Sequence, residues 1–207
     1  MRKSTIHVVG LCLIGGALAT ATALYSPGTY ACNGPAACTI GSASANLVLM
    51  AKATQLTDGE IAYLYLQGNQ FDVEEAELGI ARGTSSEVKQ HGEMVAKDHR
   101  GVVVAFQAIL TEHNIKPVAP SGDSAAVQHH MAVMSDLQAR SGADFDREYL
   151  TQAILGHRAF IELVSQTLLP EAQNPGIASH LKDILPAFKH HLAMTMTAAK
   201  SLNSDKD

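Results

Sequence analysis

The stretch TDGEIAYLYLQGNQFDVEEAELGIARGTSSEVKQHGEMVAKDHRGVVVAFQAILTEHN, residues 57–114, decides the fold. It opens on Thr57-Asp58-Gly59-Glu60, a Ser/Thr-x-x-Glu capping box in which hydroxyl and carboxylate each satisfy a backbone N–H at a helix start. A seam then runs through Ile61, Leu64, Gly68, Phe71, Glu75 and Leu78, alternating steps of three and four. It predicts a helix from about Asp58 to Arg82, stopped by Gly83. A second box, Thr84-Ser85-Ser86-Glu87, starts another helix that continues to about Asn114, with the seam Val88, Gly92, Val95, His99, Val102, Phe106, Ile109, His113. The link between them is so short that the two helices must be antiparallel neighbours.

Downstream, Pro117 and Pro120 end this hairpin, and Ser121-Gly122-Asp123 caps a shorter helix through about Arg140 whose apolar side is Val127, Met131, Met134 and Leu137. Ser141-Gly142 breaks the chain again. A third long helix spans about Asp144 to Leu169, with the seam Leu150, Ile154, His157, Ile161, Val164, Leu168, and Pro170 terminates it. Asn174-Pro175 is an N-cap and first-turn pair for a fourth, running to about Leu202 through Ile177, Leu181, Ile184, Phe188, His191, Thr195, Ala198 and Leu202. Pro186 falls inside that helix and is expected to kink or split it. The expected fold is all-α: a four-helix bundle with an extra short connecting helix, occupying residues 57–203.

Each long helix carries one polar, metal-capable side chain at a position its seam assigns to the core: Glu75, His99, His157 and His191. An ionisable group on a buried seam is costly unless it is paired, hydrogen-bonded or ligated. At about 1.5 Å per residue, His99 and His157 lie roughly 20 Å from the starts of their helices, Glu75 roughly 12 Å and His191 roughly 16 Å from the ends of theirs. If the 116–142 segment crosses the length of the bundle, all four fall within about one and a half turns. If it returns locally, His157 still lies near mid-bundle.

The bulk numbers agree with a helical domain. Trp is absent and aromatics are 5%, which favours helices over a sheet rich in aromatic and β-branched residues. The formal charge of −5 excludes a basic nucleic-acid footprint, so no nucleic-acid partner is expected. Arg2-Lys3 followed by an apolar stretch from Val8 to Leu24 reads as a targeting segment over residues 1–31, with small residues at Ala21-Thr22-Ala23 and Thr29-Tyr30-Ala31 as two candidate cleavage sites. Export to the periplasm or cell envelope is therefore expected. Two alternatives place the chain on the membrane through this segment: retention as a signal anchor, or lipidation at Cys32, although Thr29-Tyr30-Ala31-Cys32 lacks the Leu expected three residues ahead. Residues 32–56, rich in Gly, Pro, Ala, Ser and Thr, read as a linker, with a candidate short helix through Asn46–Lys52 at its end; Cys32 and Cys38 are spaced for a small disulfide loop in an oxidising compartment.

Four motifs together carry a resemblance to a known family. They are Glu75-Ala76-Glu77-Leu78-Gly79, Met94-Val95-Ala96-Lys97-Asp98-His99, Phe145-Asp146-Arg147-Glu148-Tyr149 with His157 after it, and Leu185-Pro186 with His191-Leu192. Across about Thr57 to Leu202 the chain resembles the bacterial ferritin-like domain of unknown function 4142, whose members are often labelled membrane or outer-membrane proteins. The resemblance implies an exported helical bundle of ferritin-like type. It implies no activity.

The polar layer supports two readings. In the first, His99, His157 and His191 are imidazole ligands and Glu75 the carboxylate of one transition-metal ion, zinc, copper or iron, or the same groups hold a small ligand. Asp98 points about 100° away from His99 around its helix and is expected to support a ligand or face solvent. Tyr149 is placed to orient a ligand, and Asp146 sits in the first turn of its helix, where an acid complements the dipole. In the second reading the same groups form a metal-free hydrogen-bonded network that fixes helix register. A dinuclear oxidase is disfavoured, because such sites use Glu-x-x-His on two helices and no Glu-x-x-His occurs in this chain. His129-His130-Met131 with Met134 suggests soft-metal capture, but methionines on a short amphipathic helix are more often core filler. His91, His180 and His190 read as surface residues, and His113 as exposed or capping. No Ser/His/Asp ordering, phosphate-binding Gly loop or HExxH pattern appears.

Overall fold

The computed structural model describes residues 55–204 except residue 122. The targeting segment, almost all of the linker and the Cys32/Cys38 pair lie outside the described residues. The fold is all-α, with no strand among the described residues. The helices are α1 (Asp58–Arg82), α2 (Ser86–Glu112), α3 (Ser124–Ala139), α4 (Gly142–Leu163) and α5 (Pro175–Ser204). Among the described residues, no helix is long and apolar enough to cross a membrane.

Local chemistry sets the boundaries. At the start of α1 the Thr57 hydroxyl accepts the Glu60 N–H at 3.2 Å, and the Glu60 carboxylate accepts the Thr57 N–H at 2.9 Å, so the capping box forms as expected. At α2 the cap shifts by one residue. Ser85, not Thr84, accepts the Val88 N–H, because Thr84 and the Ser85 N–H are held by Asp146 from α4. Asn174 caps α5 through the Gly176 and Ile177 N–H groups.

Both helix-interior prolines are accommodated rather than disruptive. Before Pro170, α4 widens into a π turn over Val164–Leu168, in which the Leu169 N–H reaches back to the Val164 carbonyl. One more turn, Leu169–Glu171, comes after it. The expected split of the last helix does not occur, since α5 runs unbroken through Pro186. Lys182, whose carbonyl loses its N–H partner, and Pro186 both lie on the exposed face, where water supplies the missing donor.

Each of the four long helices packs against two others: α1 on α2 and α4, and α5 on α2 and α4. The 116–142 segment crosses their length. At one end the Val118 N–H bonds the Gly59 carbonyl and Asp123 accepts from Tyr63 and Gln67 of α1. At the other end Arg82 donates to the Gln138 and Arg140 carbonyls. Thus α4 starts beside the α1–α2 turn, and α3 lies along the outer flank of α1.

The interior is apolar at both ends. Tyr65, Phe106, Phe160, Leu168, Leu181 and Phe188 form one cluster, and Val88, Leu137, Phe145, Tyr149 and Leu150 the other. Two glycines of α1 set its distance from α4. A methyl on Gly68 would fall 2.4 Å from the Phe160 ring, and one on Gly79 2.5 Å from the Tyr149 ring. Large rings therefore press against bare α1 backbone on either side of the central layer.

Candidate metal centre

Between the two apolar clusters the structure places His99 of α2, His157 of α4 and His191 of α5, all buried. Each ring offers one nitrogen within 4.8 Å of those of the other two. The rings pack at centroid distances of 5.3 to 5.8 Å.

The hydrogen bonds at the far side of each ring fix its tautomer. Asn69 donates its amide N–H to the Tyr65 carbonyl, which leaves Asn69 Oδ1 as an acceptor facing His99 Nδ1 at 3.0 Å. His99 therefore carries its proton on Nδ1. Asp72 Oδ2 stands 3.4 Å from the same nitrogen. His157 Nδ1 donates to the Ala153 carbonyl one turn earlier, at 2.9 Å, and His191 Nε2 donates to Asp98 Oδ2 at 3.1 Å. Three lone pairs remain, on His99 Nε2, His157 Nε2 and His191 Nδ1. All three nitrogens are buried without a hydrogen-bond partner. Outer partners of this kind orient and electronically tune metal-ligating imidazoles.

Electrostatics keep the rings neutral. Burial, followed by the mutual repulsion of neighbouring imidazoles, drives His99 down to about 2. His157 is lowered by burial against the pull of its bond to Ala153, and His191 by burial against the pull of Asp98. A neutral imidazole is the ligand form.

A fourth histidine, His91, borders the layer, its ring centroid 6.4 Å from that of His157. It is buried, not at the surface as its sequence position suggests. Thr195 donates its hydroxyl hydrogen to the His191 carbonyl at 2.7 Å, so His91 Nε2–H donates to Thr195 Oγ1 at 2.8 Å. Tyr149 then donates to His91 Nδ1 at 2.9 Å. Both nitrogens of His91 are occupied, and burial, then repulsion from His157 and His191, lowers it to about 3. His91 braces α5 behind His191 and offers no free lone pair.

Glu75 does not join the three imidazoles. Its carboxylate is 3.3 Å from His130 Nδ1 on α3, and Glu74 meets His130 Nε2 at 2.9 Å. Burial opposes protonation of His130, but the bonds to Glu75 and Glu74 outweigh it and raise its affinity for the proton. The reason is the rotation of α1. Its buried face is Ile61, Ala62, Tyr65, Asn69, Val73, Ala76 and Gly79, one residue away from the apolar seam through Leu64, Phe71 and Glu75. That seam faces α3, where Phe71 stacks on His130 at 4.0 Å.

The remaining sequence candidates are dispersed. Asp98 holds His191, and Tyr149 holds His91. Asp146 lies at the α1–α2 turn, accepting from the Thr84 N–H, the Thr84 hydroxyl and the Ser85 N–H. Of the methionines, Met131 is 65% exposed and so is not core filler. His180, read as a surface residue, is half-buried and bonds the Tyr65 hydroxyl at 3.0 Å, whereas His113 and His190 are exposed.

A family model described as a domain of unknown function (DUF4142) matches residues 44–198. The chain belongs to that family. No curated protein and no solved structure matches it. The DUF4142 match contains all three converging imidazoles together with Asn69, Asp98 and the Ala153 turn that orient them.

Proposed function

We propose that this protein binds one transition-metal ion through His99, His157 and His191, and that it does so outside the cytoplasm. The observation that carries the reading is a set of three rings, each with a buried, partnerless nitrogen, whose candidate ligand atoms lie within 4.8 Å of one another. Leaving a buried acceptor unsatisfied costs about 1–3 kcal/mol, so three together weigh heavily against a metal-free core. One water has two hydrogens and so serves at most two of the three nitrogens. One cation serves all three.

The donor set suits zinc, copper, nickel or ferrous iron. Tetrahedral coordination at about 2.05 Å puts ligand nitrogens about 3.3 Å apart, so nitrogens within 4.8 Å of one another draw together around the ion. With three protein ligands the fourth position is left to water or a small anion, the arrangement of an open site rather than a closed structural one. Asp98 beside His191 places negative charge behind one of the ligands, which strengthens its hold on a cation. The extracytoplasmic placement rests on Arg2-Lys3 and the apolar stretch from Val8 to Leu24.

Elemental analysis of purified protein, with titration of zinc, copper(I) and ferrous iron into chelator-treated protein, tests the reading. One equivalent of metal is expected in the wild type and none in His99→Ala, His157→Ala or His191→Ala. Asn69→Ala and Asp98→Ala are expected to bind about 10–100-fold more weakly. A wild type that takes up none of the three metals refutes the reading.

A further inference from the structure

Beneath α3, between α1 and α4, lies a cavity of about 500 Å³, within the range that holds small organic ligands. Its walls are apolar, from Leu64, Phe71, Val133, Leu155, Phe160 and Leu163. Leu155 stands 52% exposed at its rim. Its polar groups are concentrated on α1, where Asp72 and Glu75 line it, with Gln67 and Gln152 alongside. No Lys or Arg lines it. Of the two histidines that do, His129 is exposed and His130 is held between Glu74 and Glu75.

Asp72 is the unusual member. Its Oδ2 faces His99 Nδ1 at 3.4 Å without a hydrogen bond, and its Oδ1 is turned across the cavity toward Gly156 of α4, where an added methyl would come to 3.9 Å. A carboxylate with so few partners at the base of an apolar chamber is costly. A ligand carrying a positive charge on an apolar body relieves that cost, whereas an anion adds to it.

We propose that the chamber beneath α3 binds a small apolar organic cation, an alkyl- or arylammonium, whose charged head pairs with Asp72 and whose body lies between Phe71, Leu155 and Phe160. None of the three imidazoles lines the chamber, although Asp72 also borders His99, and the proposal stands whether or not they hold a metal.

Calorimetric titration of the chelator-treated full chain with n-octylamine and 2-phenylethylamine tests the proposal, with octanoate and phenylacetate as anions of like shape. Removing metal ensures that an amine is not read at the imidazoles. Both amines are expected to bind at least tenfold more tightly than the anions. Asp72→Asn keeps the shape and removes the charge, and is expected to abolish that preference. Gly156→Leu fills the chamber and is expected to weaken amines and anions alike; it carries the test if Asp72→Asn fails to fold. Absence of amine binding, equal binding of octanoate, an amine preference that survives in folded Asp72→Asn, or amine binding undiminished in Gly156→Leu overturns the proposal.

Discussion

Metal-free protein is expected to lose about 4 kcal/mol of stability between pH 7.5 and pH 5 through His91 and His99 alone. Their affinities for the proton fall from the ordinary 6.5 to about 3 and about 2 in the folded chain. Below pH 6.5 the unfolded chain takes up a proton at each ring and the folded chain does not, so acid favours unfolding. At pH 5 the difference is about 2 kcal/mol per ring, and both rings are too deeply buried for solvent to reduce it. His157 and His191 shift in the same direction and add to the loss. Two groups oppose it. His130, raised by Glu75 and Glu74 against its burial, gains as pH falls. So does Asp72, held well above the usual carboxylate range by burial and then by the charge of Glu75. Against a total of about 5–15 kcal/mol for a domain, a loss of this size is large. Urea midpoints at pH 7.5, 6 and 5 measure it, and a flat profile in an Asp72→Asn, His130→Gln protein would contradict the neutral, buried state of these rings.

Asp146→Ala is expected to cost roughly 3–4 kcal/mol, more than any surface charge in the protein. Asp146 is 2% exposed and accepts from the Thr84 N–H at 2.9 Å, the Thr84 hydroxyl at 2.6 Å and the Ser85 N–H at 2.7 Å. Burial works against its ionisation, but these bonds together outweigh it and hold the carboxyl below its ordinary value. One side chain of α4 thus satisfies the donors that α2 leaves bare at its start. Alanine strands all three donors, while Asp146→Asn keeps the volume and loses the charge, and belongs between the two. Asp144→Ala, two residues away and exposed, removes contacts to Arg140 and Arg147 at less than about 1 kcal/mol. Chemical denaturation of the three variants gives the ranking. An Asp146→Ala protein as stable as Asp144→Ala would disprove it.

The helices were legible because their signals are local. Capping boxes, Gly83, Ser141-Gly142 and Asn174-Pro175 each act within one turn, and the apolar period along α2, α4 and α5 continues without competition. The rotation of α1 was not legible. A helix covered on two sides carries two apolar stripes, and the richer one, through Leu64, Phe71 and Leu78, faces α3. The stripe toward the imidazoles is poorer in apolar residues, running through Tyr65, Asn69, Asp72, Ala76 and Gly79. A period count weighted by hydrophobicity passes over it and selects Glu75 where Asn69 and Asp72 do the contacting. The signal available was size, since Ala76 and Gly79 are the small residues a close neighbour requires. His91 escaped for a related reason. Gly92, beside it on the seam, admits the α1 backbone so closely that an added methyl would meet the Ala76 carbonyl at 2.7 Å. The space beside that contact falls to His91.

The glycines of α1 govern how the bundle responds when a ligand is lost. With Phe160 seated against Gly68 and Tyr149 against Gly79, the separation of α1 from α4 is set by contact of these rings with bare backbone, on both sides of the polar layer. Deleting an imidazole leaves the scaffold standing and opens a ring-shaped vacancy in place of a collapsed seam. On the proposed metal-binding reading, His157→Gly protein should therefore accept free imidazole from solution and take up metal in proportion to the imidazole supplied, while N-methylimidazole, which cannot donate to the Ala153 carbonyl, restores less. Metal uptake measured against imidazole concentration gives the result, and no recovery at any concentration would mean that the helices close over the gap.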